Sequence, residues 1–204
     1  MPDVPGGRTA RLADSLTMSR SETAVHGSGV GAYVTFGLLA AWALHDAEEV
    51  ALVPGWAPAR VPGLRERFPG VPERIWRRLE SVDRREFTAA VAAMGVVVAA
   101  AAADGHRTGG RSAFYQSALN GFGLHGVVHL AQAAVVRAYT PGSVTSPLVV
   151  IPFTLWARGR LRAAGVLRPT RPRDAVQGLA LAGAATVGAH MLSRRLVGKG
   201  RTVS

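Results

Sequence analysis

The chain has 204 residues, enough for one ordinary domain, carries a net charge of +11 and contains no cysteine, which excludes disulfides and thiolate metal sites. All of its basic residues except Lys199 are arginine; a soluble chain this basic would suggest nucleic acid. Here the arginines flank long apolar runs that lack charge, so anionic lipid headgroups are the simpler partner and no nucleic-acid partner is expected. Mean hydropathy is only +0.17, but the segregation of charge from apolar sequence favours a membrane protein over an alanine-rich soluble bundle.

Taken in order, residues 1–22 are polar, mixed in charge and rich in Gly, Ser and Arg, the composition of a disordered tail. No apolar core follows the first residues closely enough for a cleavable signal peptide. An all-α integral membrane helix bundle is expected over 23–195, with about five transmembrane helices at 27–49, 87–103, 112–137, 143–157 and 175–193, and a basic tail at 196–204. Each run is long enough, or nearly so, to cross about 30 Å of hydrocarbon as a helix of about 20 residues.

The first span holds the most informative stretch. From Thr23 to Leu44 there is no formal charge, and then His45, Asp46, Glu48 and Glu49 follow in close succession. A carboxylate near hydrocarbon costs roughly 2.5 kcal/mol or more unless it is paired or turned to a protein interior. In a helix His45, Glu48 and Glu49 stand at i, i+3 and i+4 and project from one face. Gly27 and Gly31 add a weak close-packing signal. Pro54-Gly55-Trp56-Ala57-Pro58 and Val61-Pro62-Gly63 read as the helix end followed by turns. After Pro72, the residues Ile75, Trp76, Leu79 and Val82 recur at helical spacing among arginines, the pattern of an amphipathic helix lying in the interface.

The second span, 87–103, is alanine and valine with little else and reads as scaffold. The third carries the second polar cluster: His125, His129 and Gln132 at i, i+4 and i+7 form one stripe. Gly121 and Gly126 leave room beside the imidazoles for a helix or a ligand. Arg137 and Tyr139 suit the membrane boundary, and Arg137 also complements the C-terminal helix dipole. Asn120, Gln132, Arg137 and Tyr139 are candidate substrate-pocket residues. Pro141-Gly142 makes a tight turn. Pro147 and Pro152 make the fourth span start late or kink, and Arg158, Arg160 and Arg162 follow it. The fifth span holds Gly178, Gly183 and Gly188 and a lone His190, read like His26 as structural.

Basic residues divide almost evenly between the two sides of such a bundle, so the positive-inside rule does not orient it. Alternation places the ends of spans one and three on the same side. His125 and His129 lie about 18 and 12 Å along the helix from Arg137. Meeting His45 then requires span one to end at some depth, with Glu48 and Glu49 buried in protein.

His45-Asp46-Ala47-Glu48-Glu49 followed by a Pro/Trp segment, together with the histidine helix closing in Arg137-Ala138-Tyr139-Thr140-Pro141-Gly142, resembles the HXXEE domain family of small bacterial membrane proteins over roughly residues 30–160. The resemblance implies a multi-span helical protein of the bacterial cytoplasmic membrane with its site at these positions, and implies no reaction.

Three readings follow. In the preferred one, His45, Glu48, Glu49, His125 and His129 bind one or two metal ions, zinc or iron by ligand type, on facing helices of a bundle. The protein would then be a metal-dependent enzyme acting on a lipid-soluble substrate by hydrolysis or oxidation. In the second there is no cofactor, and Glu48 or Glu49 acts as an acid with His45 or His125, as an isomerase or cyclase of an isoprenoid or sterol-like lipid. In the third the polar groups serve non-enzymatic transport or lipid binding. Five such groups on two apolar helices each carry a desolvation cost, which favours a site over incidental polarity. The partners expected are membrane lipid and a hydrophobic small molecule, and oligomeric state is left open.

Overall fold

A computed structural model describes residues 29–169 and is helical throughout its regular elements. In chain order these are α1 (Ala32–Arg67), α2 (Glu73–Glu80), α3 (Arg84–Arg107), α4 (Ala113–Val136) and α5 (Ile151–Ala163), the last entered through a π-helical turn, Ser146–Val150. The two expected tails, His26, Gly27 and the fifth span with His190 lie outside the described residues. Among the described residues two helices, α3 and α4, are long and apolar enough to cross a membrane. They correspond to the second and third expected spans; the expected count of five is not confirmed, its fifth span lying outside the described residues. The first and fourth candidates differ for a visible reason. Carboxylates and prolines interrupt the apolar sequence of α1, and Arg158, Arg160 and Arg162 lie within α5.

The organising element is α1, which packs on every other helix. It does not stop near Glu49 as expected but runs on through Pro54, Pro58 and Pro62 to Arg67. A proline inside a helix removes an N–H and leaves the carbonyl four residues earlier without its donor. For Pro54 that carbonyl belongs to Val50, and Arg84 supplies the missing donor: its Nη1 reaches Val50 O at 3.1 Å and its Nη2 reaches Ala51 O at 3.5 Å. The helix ends instead at Phe68 (φ −124°, ψ 66°), as the residue before Pro69 is pushed out of helical geometry. Arg84→Ala should therefore cost about 1 kcal/mol of stability by orphaning the Val50 carbonyl. Thermal unfolding in detergent checks this, with a lowered midpoint expected for Arg84→Ala and a smaller change for Arg84→Lys.

The amphipathic stretch after Pro72 does form a helix, α2, packed on α1 with Trp76 buried. Arg65 near the end of α1 pairs with both Glu73 and Glu80, at 3.1 and 2.9 Å. The Asp83 carboxylate caps α3 by accepting from Arg85 N and Glu86 N. The Ser112 hydroxyl oxygen caps α4 by accepting from Tyr115 N.

Two contacts set the helix directions. Arg67 donates to the carbonyls of Val136 and Val135, at 2.6 and 3.1 Å, joining the ends of α1 and α4. Arg160 donates to the Tyr33 hydroxyl at 3.2 Å, joining the end of α5 to the start of α1. α1 and α4 thus run in the same direction, and their histidines can meet side by side. One half of the bundle is a conventional core of Val34, Leu38, Tyr115, Leu119, Ala157 and Leu161. Tyr115 fits because Gly105 has no side chain, and its hydroxyl donates to Val34 O at 2.7 Å. Phe122 marks the lower edge of this core, and the ionisable cluster lies directly beyond it.

The π-helical turn accommodates the two prolines expected to disturb the fourth span. Ile151 N bonds to Ser146 O across one extra residue, and Pro152, which has no N–H, follows at once. Gly126 of α4 lets this turn approach, since a Cβ there would meet Val150 Cγ1 at 2.8 Å.

Candidate metal centre

A helix turns by about 100° per residue, so Glu49 sits about 40° to one side of His45 and Glu48 about 60° to the other. The two adjacent glutamates cannot serve the same point. Glu49 turns to the α4 histidines, and Glu48 turns to the segment between α4 and the π-helical turn.

On the Glu49 side four ligand-type residues converge. His45 and Glu49 come from α1, His125 and His129 from α4, and one ligand atom from each lies within 4.8 Å of the others. His129 Nε2 is 3.0 Å from Glu49 Oε1 and 2.9 Å from His125 Nε2. The His45 ring is 5.1 Å from that of His125 and 5.0 Å from that of His129, centroid to centroid, and Phe122 closes the group edge-on to His45 at 6.0 Å. His45 is fully buried and His129 nearly so, whereas His125 is exposed. The group is therefore closed on the α1 side and open at His125.

This arrangement suits a cation. His129 Nε2 faces both a carboxylate and a second imidazole nitrogen, and one ring proton can satisfy only one of them. His45 Nε2 is buried and has no hydrogen-bond partner. Ligands at 2.0–2.1 Å around a tetrahedral ion stand about 3.4 Å apart, and the spacings here bracket that value. Three imidazoles and one carboxylate form a donor set suited to zinc or iron.

On the other side, both oxygens of Glu48 are taken up. Oε1 accepts from the Tyr139 hydroxyl at 2.5 Å and from Gly142 N at 3.0 Å. Oε2 accepts from Thr145 N at 3.0 Å and from Thr145 Oγ1 at 2.6 Å. Loss of solvent and the Glu48 carboxylate push the Tyr139 phenol up to about 12, so it stays a donor. Its carbonyl accepts from Trp56 Nε1 at 3.1 Å, and the proline-rich half of α1 thereby also grips this segment.

The expected site residues are thus divided. His45, Glu49, His125 and His129 come together. Glu48, expected as ligand and acid, lies outside that group for the angular reason given above. Tyr139 contacts Glu48. Asn120 accepts a close hydrogen bond from Arg158 Nη1, on the α5 side. Gln132 is exposed, and Arg137 is the exposed left-handed cap of α4 (φ 52°). None of these last three joins the four-residue group.

Two contributors were not singled out from the sequence as site residues. Thr145 carries no signal beyond its polarity. Gly142 was legible as part of a Pro-Gly turn, but not as the surface on which the His129 ring rests. A Cβ at Gly142 would stand 2.7 Å from both Cε1 and Nδ1 of that ring, and the residue has φ +83°, which disfavours a side chain. Gly142→Ala should displace the imidazole and weaken metal binding on the order of tenfold or more, by analogy with other disturbances around a ligand. A zinc competition titration checks this.

The profile of a family described as "Protein of unknown function with HXXEE motif" matches residues 36–157, which include all four converging residues. No curated protein and no solved structure matches the chain.

Proposed function

The chain belongs to the HXXEE family, and on that premise we propose that it is a membrane-embedded metalloprotein whose single metal ion is held by His45, Glu49, His125 and His129 and acts on a lipid-soluble substrate. The observation that carries this reading is the convergence of three imidazoles and one carboxylate at the middle of an apolar helix. His125 is the thirteenth residue of the 24-residue helix α4, so the open side of the group lies about 18 Å from either end. Only 22% of the most apolar stretch of α4, and of α3, is buried. The core helix of a soluble protein would be mostly buried, whereas a helix facing lipid is not. Val96, Val127 and Leu148 are among the large apolar side chains left uncovered.

His45, Glu49, His125 and His129 would hold the ion, and Phe122 and Gly142 would keep water from its closed side. A zinc or iron ion there would supply a Lewis acid able to polarise an oxygen or activate a water if its coordination expands beyond these four residues on the exposed His125 side. A substrate reaching His125 laterally from the hydrocarbon would not have to cross the polar ends of the bundle. Glu49, whose Oε1 lies 3.0 Å from His129 Nε2, would be the one anionic ligand of the ion.

The test pairs metal content with the lipid pool. Protein purified without chelator should contain about one equivalent of a transition metal, as a single four-ligand site requires. Lipid extracts of cells producing the wild-type chain should differ from those producing Glu49→Gln in at least one compound. Absence of metal rejects the centre. Metal with identical lipid extracts rejects the enzymatic role.

A further inference from the structure

We infer that Thr145 and Glu48 are positioning residues which hold His45 as its Nδ1–H tautomer and so present the bare Nε2 to the metal centre. The inference rests on the metal reading above and deepens it. Each step follows from counting protons. Glu48 receives four donors, two of them backbone N–H groups that can only donate, and a carboxylate in that setting is an acceptor alone. The Thr145 hydroxyl, 2.6 Å from Glu48 Oε2, must therefore direct its one hydrogen at the carboxylate.

The same hydroxyl oxygen lies 2.7 Å from His45 Nδ1. With its hydrogen already committed, it can only accept there, so Nδ1 carries the ring proton. Nε2 is then the lone-pair nitrogen, and it is the buried His45 atom left without a partner. A metal-binding histidine commonly donates its second ring nitrogen to an outer group that fixes the tautomer and raises ligand basicity. Here that group is a hydroxyl polarised by a carboxylate.

The two glutamates of the motif thereby have separate tasks. Glu49 faces the ion. Glu48 acts through Thr145 and His45, and fastens the segment from Tyr139 to Thr145 to the middle of α1. The π-helical turn begins directly after Thr145, which sets the residue at the place where the chain changes helical pitch to come back against α4.

The test uses the full chain in detergent micelles, metal-free and labelled with 15N in histidine. Long-range 1H–15N correlation distinguishes a protonated ring nitrogen from an unprotonated one, and His45→Gln identifies the His45 signals by their loss. His45 should show a protonated Nδ1 and an unprotonated Nε2. Thr145→Val should abolish that preference and weaken zinc binding about 10- to 100-fold, whereas Thr145→Ser should keep the tautomer and bind within a few-fold of wild type. An Nε2–H tautomer or a doubly protonated ring in the wild type would overturn the inference. So would Thr145→Val leaving tautomer and zinc affinity unchanged. Because the tautomer is read without metal, failure of the chain to bind zinc at all rejects the proposed centre while leaving this assignment to stand or fall by the spectrum.

Discussion

His129→Ala should leave the purified protein with almost none of the roughly one equivalent of metal expected of the wild type, a loss of several orders of magnitude in affinity when one of four proposed ligands goes. The magnitude follows from the place of His129 in the group. Its Nε2 is the atom that lies within hydrogen-bond distance of both Glu49 and His125. Its ring also fills the space over Gly142. Removing it deletes a ligand, opens a cavity and separates the acid of α1 from the remaining imidazole of α4. Glu49→Gln should give a similar loss with almost no change in shape, since an amide oxygen is a poor substitute for a carboxylate. Gln132→Ala, on an exposed residue of the same helix, should keep the full equivalent. Metal analysis of the three variants beside the wild type checks the set, and retention of metal by His129→Ala would remove that residue from the centre.

Stripping the metal should be the second large effect. A ligand that binds only the folded state at a thousand times its dissociation constant stabilises it by about 4 kcal/mol, which corresponds to a shift on the order of 10 °C in a domain of this size. Differential scanning fluorimetry in detergent should show the unfolding midpoint fall after chelation and recover when zinc or iron is restored. In Glu49→Gln the chelator should change nothing. A midpoint indifferent to chelator in the wild type would mean that the fold does not depend on an ion at this position.

The parts of the molecule legible in the sequence are those in which local pattern and tertiary environment agree. α3 and α4 appear as long apolar runs: the helix of α3 extends a few residues beyond its run at each end, and that of α4 stops one residue inside its expected limits. The residues of α2 repeat at helical spacing, and they form a helix. The course of α1 was not legible, because a proline rule is local while its exception is not. The guanidinium that satisfies the Val50 carbonyl comes from a residue 34 positions later in the chain. The carboxylates lie within a helix that goes on for about 27 Å beyond Glu49, so α1 does not end beside them.

At the site, the spacing of His45, Glu48 and Glu49 identified a shared face. A face covers more than 100° of a helix surface, and the spacing does not say which glutamate will meet the histidines. The packing of α4 on one flank of His45, and of the 139–145 segment on the other, decides between them. Asn120 and Gln132 lie on the histidine helix and share its polar character, yet one is drawn to Arg158 and the other faces outward. Thr145 could not be singled out, because its role depends on a hydrogen bond to a histidine 100 positions earlier in the chain.

X-ray absorption at the K edge of whichever metal the purified protein carries tests the four-residue centre most directly. The account predicts a first shell of about three imidazole nitrogens and one carboxylate oxygen at about 2.0–2.2 Å, with the outer-ring scattering of imidazole reduced in His125→Ala. A shell of oxygens without imidazole scattering, or a spectrum unchanged by that substitution, would contradict it.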